Sequence, residues 1–333
     1  MSNIKVAFIG TGGIAGRHAR AANQRSDVSV VGVMDINAPR VREFADKQFA
    51  AAAVKPAVFE DAALMLKKTK PDAVVINTPH TLHYEQCLLA LKRHCHVLVE
   101  KPMVTELKHA LALAKRVAKA GKILCVAYNT PCSARLFTLR EYVRQGTFGK
   151  LKLVSLDISQ PWYHFVKNTW RMDPKLSGGG MAYDSGAHVL NSLVWTVESE
   201  VTEVSAWVDN LDVPVDINSS INIRFASGTI ANVTISGETP SGASGVFLFE
   251  KARVEIDPWG AGAMRVRDSD QKPAAEPAML GTDSTPFDNF VDAILGKAEP
   301  RTNPRNGVLQ SQLMDAVYKS ARTGRPARPR PLK

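Results

Sequence analysis

Short apolar runs alternate with helix-forming stretches through the first 127 residues, and this alternation restricts the fold more than any other feature. Ile4 to Ile9, Val28 to Met34, a segment near Val58, Asp72 to Asn77, Val97 to Val99 and Lys122 to Ala127 read as strands. Between them, helices are expected from the glycine turn to about Gln24, from Ala38 to about Gln48, and over Asp61 to Lys68, Thr81 to Lys92 and Thr105 to Ala120. Asp61 and Thr105 are suitable N-caps. The apolar runs are β-branched and too short for helices, as in strands buried on both faces. Steady alternation predicts a doubly wound parallel sheet, which binds ligands beyond the carboxyl ends of its strands.

The first turn carries Gly10-Thr-Gly12-Gly13-Ile14-Ala15, and the second strand ends at Asp35. Strand, glycine turn, helix, strand and acid make a dinucleotide-binding layout. Gly10 makes the tight turn, Gly12 lets the backbone approach a pyrophosphate, and Ala15 allows close helix packing. The pyrophosphate would rest on the amides of the helix start. Asp35 would accept hydrogen bonds from the ribose hydroxyls and repel a 2′-phosphate, which favours NAD over NADP; Arg40 nearby leaves NADP open. Asp35 could also cap the helix that contains Pro39, and both roles are compatible.

The strand Val97 to Val99 runs into Glu100-Lys101-Pro102, which places Lys101 at the rim of a cleft and ends the strand at Pro102. The candidate cofactor-binding residues are Gly10, Gly12, Gly13, Ile14, Asp35, Asn77, Thr78, Pro79, His83, Glu100 and Lys101. His83 either lines the nicotinamide end or packs at its helix start.

After about Tyr128 the pattern changes. A helix over Ala134 to Gln145 leads into longer strands with two-fold alternation: Leu151 to Gln160, Val201 to Asp209, Ile217 to Phe225, Thr229 to Ser236 and Val246 to Ile256. Ser227-Gly228 reads as a hairpin turn. Helices are expected near Asp184 to Trp195, over Pro286 to Leu295 and over Pro304 to Ser320. The fold class is therefore α/β for residues 1–127, a nucleotide-binding domain. Residues 128–333 are expected to form an α+β domain with a large, mostly antiparallel open sheet, to which the resemblance given below assigns substrate binding and oligomer contacts. Trp170-Arg171 is followed by Gly178 to Gly180, a flexible or closely approached backbone, and then by Asp184-Ser-Gly186-Ala-His188. At spacing i, i+4, Asp184 and His188 would share a helix face, where a carboxylate orients an imidazole and raises its basicity. An isolated pair of this kind is most simply a surface pair.

Composition narrows the function classes. The formal charge is +10, but half of it lies in the Pro-rich tail 321–333 (Arg322, Arg325, Arg328, Arg330, Lys333) and the remainder is scattered, which argues against nucleic acid. No apolar run approaches the roughly 20 residues of a membrane span. The N-terminus shows no secretory signal, and four cysteines in 333 residues make no disulfide framework. A cytoplasmic protein is expected. His80, His83, His94, Cys95 and His96 match no zinc spacing, so no metal is expected.

The ordered set Gly10-x-Gly12-x-x-Ala15, Asp35, Thr78-Pro79 with His83, Glu100-Lys101-Pro102, Trp170-Arg171, Gly178 to Gly180 and Asp184-x-Gly186-x-His188 resembles the glucose–fructose oxidoreductase and inositol dehydrogenase family over essentially the whole chain. The resemblance implies a Rossmann domain joined to an open-sheet domain, a homo-oligomer (dimer or tetramer), and a catalytic group of Lys101, Asp184 and His188. One departure is Asn191, where many of the family's sugar dehydrogenases carry Asp. The implied reaction is reversible NAD(P)-dependent hydride transfer between the nicotinamide and a secondary alcohol or ketone of a sugar or cyclic polyol. An imidazole with an ordinary pKa near ~6.5 suits the general base. Lys101 would stabilise the developing alkoxide, and Asp184 would orient His188 or bind a neighbouring hydroxyl. Trp162, Tyr163, Trp170 and Arg171 are candidates for sugar stacking and hydroxyl contacts, or for packing; Lys101, Asp184 and His188 complete the substrate set. Two rivals are a non-catalytic sensor of NAD or sugar, which would not need all three catalytic residues, and a glycosidase that uses NAD for transient oxidation.

Overall fold

The computed structural model of the chain describes residues 3–259, 262–270 and 278–332, and its backbone contacts divide it into two compact units. The first is built from β1 (Ile4–Ile9), α1 (Ala15–Asn23), β2 (Val28–Met34), α2 (Ala38–Gln48), β3 (Ala57–Phe59), α3 (Ala62–Thr69), β4 (Ala73–Ile76), α4 (His83–Lys92), β5 (His96–Val99), α5 (Leu107–Ala120) and β6 (Leu124–Val126). Its six strands lie in the order β3-β2-β1-β4-β5-β6 and every pair is parallel. Val6, Phe8, Val75 and Leu98 are fully buried in the resulting core, as expected for strands covered by helices on both faces.

Helix ends follow local chemistry. The Asn37 side chain accepts the Arg40 N–H at 3.0 Å and caps α2, so Asp35 is not the cap. Asp61 caps α3 through Leu64. Helix α5 begins at Leu107, two residues after Thr105, whose carbonyl instead accepts the Tyr183 hydroxyl.

The second unit contains α6 (Ala134–Gln145), β7 (Leu151–Ser159), α7 (Trp162–Val166), α8 (Pro174–Ser177), α9 (Gly186–Val197), β8 (Val201–Asp209), β9 (Asn218–Phe225), β10 (Ile230–Ser236), β11 (Gly242–Phe249), β12 (Ala252–Ile256) and β13 (Arg265–Asp268). The sheet order is β13-β12-β11-β7-β10-β9-β8. Only β7 and β10 pair in parallel; the other pairs are antiparallel. Burial alternates along β9 and β10, so one face is packed and the other exposed. All twelve residues of α9 are buried, including the polar His188, Asn191, Ser192 and Thr196.

Three expectations need amendment. The run Val246 to Ile256 is not one strand but the hairpin of β11 and β12, turning at Glu250-Lys251. Strand β13 was not expected, because RVRD carries only one apolar residue. A single boundary after Ala127 also omits a return: α10 (Pro286–Ile294) and the rest of Thr285–Pro304 belong to the first unit, while Thr105–Leu107 belong to the second. Phe287, Phe290 and Val291 enter the first unit's core, and Thr302 exchanges two hydrogen bonds with Val126.

Helix α11 (Pro304–Thr323) belongs to the second unit, apart from its first residue. The basic tail then docks on β8: Ala327 and Val204 exchange backbone hydrogen bonds and Arg328 pairs with Glu203 at 2.6 Å. Lys333 lies outside the described residues. Among the described residues no helix is long and apolar enough to cross a membrane.

Candidate active site

Each of the two units carries its own set of candidate residues. In the first, β1 ends at Gly10, whose φ of +87° suits glycine and whose added Cβ would stand 2.9 Å from the Asn77 backbone. Asn77, buried at the end of β4, reaches the Gly10 carbonyl with Nδ2 at 3.3 Å. Gly12 and Gly13 are different: no atom lies within 4 Å of where their Cβ atoms would be.

Asp35 is buried at the end of β2. Its Oδ2 accepts the Thr11 N–H at 2.9 Å and the Thr11 hydroxyl at 3.0 Å; its Oδ1 accepts the Asn37 N–H at 3.0 Å and Arg40 Nη2 at 2.5 Å. Burial alone would raise this carboxyl's pKa. The hydrogen bonds from Arg40, Thr11 and Asn37 outweigh it and hold the group below the usual carboxylate range. Arg40 is half exposed.

Glu100 is buried and takes His18 Nε2 at 2.8 Å on one oxygen and the Lys101 N–H at 3.2 Å on the other. The Lys101–Pro102 bond is cis. His83 is fully buried, with Nδ1 at 2.8 Å from the Pro102 carbonyl and Nε2 at 2.9 Å from the Thr78 carbonyl. It therefore ties the Thr78 and Pro102 loops together. Two carbonyls favour a doubly protonated ring; burial acts more strongly and lowers the pKa.

A nicotinamide nucleotide fits these residues. Helix α1 begins without a side-chain cap, the space before Gly12 and Gly13 is open, and the buried Asn77 Oδ1 has no hydrogen-bond partner among the described residues.

In the second unit, Asp184 is buried two residues before α9 begins, so it is not on the helix face expected for it. Its Oδ2 accepts Trp162 Nε1 at 2.7 Å and Arg171 Nε at 2.7 Å. The Arg171 guanidinium lies 4.6 Å over the Trp170 ring. Trp162 is only 4% exposed. Its indole N–H is given to Asp184. Trp170, Arg171 and Asp184 form one cluster.

His188 stands in the first turn of α9. Its ring stacks on Trp259 at 5.0 Å and 26°, and meets Tyr128 edge-on at 5.8 Å. Ser192, one turn later, donates to either Thr130 Oγ1 (2.9 Å), the His188 carbonyl (3.0 Å) or the Pro258 carbonyl (2.8 Å), all of which surround its hydroxyl. The triple glycine before Asp184 is closely approached, not flexible. A Cβ on Gly180 would lie 1.9 Å from the Asp216 carbonyl oxygen, and Asp216 accepts the N–H groups of Gly180 (2.6 Å) and Ala182 (2.8 Å). Asn191 is fully buried and donates to Asn306 at 2.8 Å.

His18, Tyr128, Asp216 and Trp259 were not visible as site residues in sequence. His18 meets Glu100 across 82 positions, and no local pattern marks such a pair. Among the described residues no cluster of three or more His, Cys, Asp or Glu side chains could hold a metal.

Residues 4–128 match the Gfo/Idh/MocA model described as an oxidoreductase family with an NAD-binding Rossmann fold, and residues 137–256 match the Gfo/Idh/MocA C-terminal domain. The chain is 29% identical over 201 residues to D-glucoside 3-dehydrogenase of Escherichia coli, covering 59% of this chain and 54% of that protein. It thus spans about half the length of that curated relative. It is 26% identical over 272 residues to 1,5-anhydro-D-fructose reductase of Ensifer adhaerens, covering 77% and 79%. The WlbA dehydrogenase of Bordetella pertussis, solved with NADH and UDP-GlcNAcA, superposes with a TM-score of 0.82 at 26% identity, covering 99% of this chain and all of that one.

Proposed function

Because the chain belongs to the Gfo/Idh/MocA oxidoreductase family, we propose that it transfers a hydride reversibly between a nicotinamide cofactor, NAD in preference to NADP, and a secondary alcohol or ketone of a sugar or cyclic polyol. The observation that carries this reading is the cluster in the second unit: an Arg171–Asp184 ion pair at the head of α9 and, one turn on, an imidazole held between two aromatic rings. The relatives named as a glucoside dehydrogenase and an anhydrofructose reductase support a sugar-like substrate.

When bound, the nicotinamide supplies the hydride acceptor. His188, its ring plane set by Trp259 and Tyr128, takes the hydroxyl proton as the C–H bond breaks. Lys101 donates a hydrogen bond to the same oxygen and stabilises its developing negative charge. Asp184 is oriented by Trp162 and Arg171, and the Trp170 ring with the Arg171 guanidinium offers a face and donors to the remaining hydroxyls. Gly12, Gly13 and Asn77 hold the nucleotide, and Asp35 holds its ribose. The exposed face of the second sheet, which carries Trp207 at 68% exposure, supports the expectation of a homo-oligomer.

The test is NADH absorbance across a panel of inositols, hexoses and anhydro- or keto-sugars with both cofactors, for the wild type and Lys101→Ala. The variant is expected to lose orders of magnitude in turnover and to keep NADH binding. Unchanged turnover would remove Lys101 from the mechanism.

A further inference from the structure

A second concave site lies in the first unit, at the edge of the parallel sheet where its strands begin. It is a cavity of about 920 Å³, within the size range of small-molecule sites. Its walls carry Lys67, Lys70, Lys92, Arg93 and Lys122, and Asp72 is the one acid among its lining residues. Ile4, Leu66 and Ile294 contribute apolar surface. The glycine turn follows the opposite end of β1, so this cavity is separate from the candidate nucleotide site.

An ordinary account of such cations is that they complement helix carboxyl ends. Helices α3, α4, α5 and α10 all end here. At roughly half a negative charge each, they supply about two charges, and Asp72 adds one. Five cations leave a surplus of about two positive charges. None of the five forms an ion pair among the described residues, whereas Arg25, Arg140, Arg144 and Arg253 elsewhere all do.

The backbone points the same way. Lys70 (φ 44°) and His94 (φ 59°) occupy left-handed conformations at the ends of α3 and α4, and both line the cavity. Glycine carries less strain at such positions, yet this chain has side chains with donor groups at both. His96 accepts the Ile123 N–H at 3.0 Å through Nδ1, which leaves Nε2 to carry the proton of the neutral ring. Burial, reinforced by the positive charge of Lys122, pushes this imidazole down to about 4.

We propose that this cavity binds a small phosphorylated anion carrying two or more negative charges. Phosphate oxygens would take the ammonium and guanidinium donors, and the apolar wall would accept an organic body where there is one. The proposal is independent of the redox reading.

The test is calorimetric titration of the full chain, saturated with NADH, with tripolyphosphate and separately with ADP. Binding is expected, weakening steeply as salt rises. Lys92→Gln/Arg93→Gln should weaken it at least tenfold without altering NADH affinity, and the exposed single variant Lys67→Gln, which removes no packing, should weaken it several-fold. ADP binding tighter than tripolyphosphate would assign the apolar wall to an organic phosphate; the reverse order would assign an inorganic one. No binding at low salt, wild-type affinity in both variants, or binding that appears only when NADH is left out overturns the proposal. So does tighter binding of an RNA oligonucleotide through the same residues, which would make the surface an extended polyanion site.

Discussion

Asp35 shows how much one side chain can decide. Residue type and position suggested a ribose ligand, but not the five donors that already surround its carboxylate, since these come from a neighbouring turn and the next helix. With Asp35 ionised, a 2′-phosphate meets like charge; without it, Arg40 is released to pair with that phosphate. Asp35→Ser is therefore expected to move the ratio of kcat/KM for NAD over NADP at least tenfold toward NADP, measured by initial rates with each cofactor. An unchanged ratio would remove Asp35 from cofactor selection. His96 makes a second prediction. Its pKa falls from 6.5 to about 4 on folding, so between these values the unfolded chain binds a proton that the native chain does not. Stability must fall as pH drops through this window and level off below it. The full shift corresponds to roughly 3 kcal/mol, which partial exposure to water reduces to about 1–2 kcal/mol. Urea unfolding across the window should show His96→Gln losing less stability than the wild type; parallel curves would contradict this.

Among elements, two glycine turns that look alike in sequence do opposite work. Gly180 packs against Asp216, where a Cβ would meet backbone at 1.9 Å. Gly180→Ala is expected to cost about 2–4 kcal/mol, read as a large drop in Tm. Gly12 faces open space, so Gly12→Ala should leave Tm near the wild-type value while weakening NADH binding at least tenfold. If both variants change Tm equally, the distinction fails. The strands and helices of the first unit were legible because apolar runs and caps are local signals. The β11–β12 hairpin was not, since Glu250-Lys251 has none of the Gly, Asn or Asp that mark a turn. Asp184 was placed on α9 by spacing alone; the helix in fact starts at Gly186.

At the scale of the whole chain, alternation and motif order were enough to read a nucleotide-binding unit followed by an open sheet. The return of Thr285–Pro304 to the first unit was hidden, because an amphipathic helix such as α10 does not declare which core its Phe287 and Phe290 will enter. The tail looked like surplus charge, yet Arg328 and the Ala327 backbone secure it to β8. The residues proposed for catalysis could be read one by one, but the neighbours of the site residues, Trp259 and Tyr128 around His188 and His18 beside Glu100, arise only from tertiary packing. The chemistry assigned to these residues is tested most directly by isotope transfer. A polyol that supports NADH formation is supplied with deuterium on its reacting carbinol carbon, and the cofactor is recovered for mass spectrometry. The account predicts one deuterium in each NADH formed and none released to water. Deuterium appearing in water, or NADH formed without the label, would contradict it.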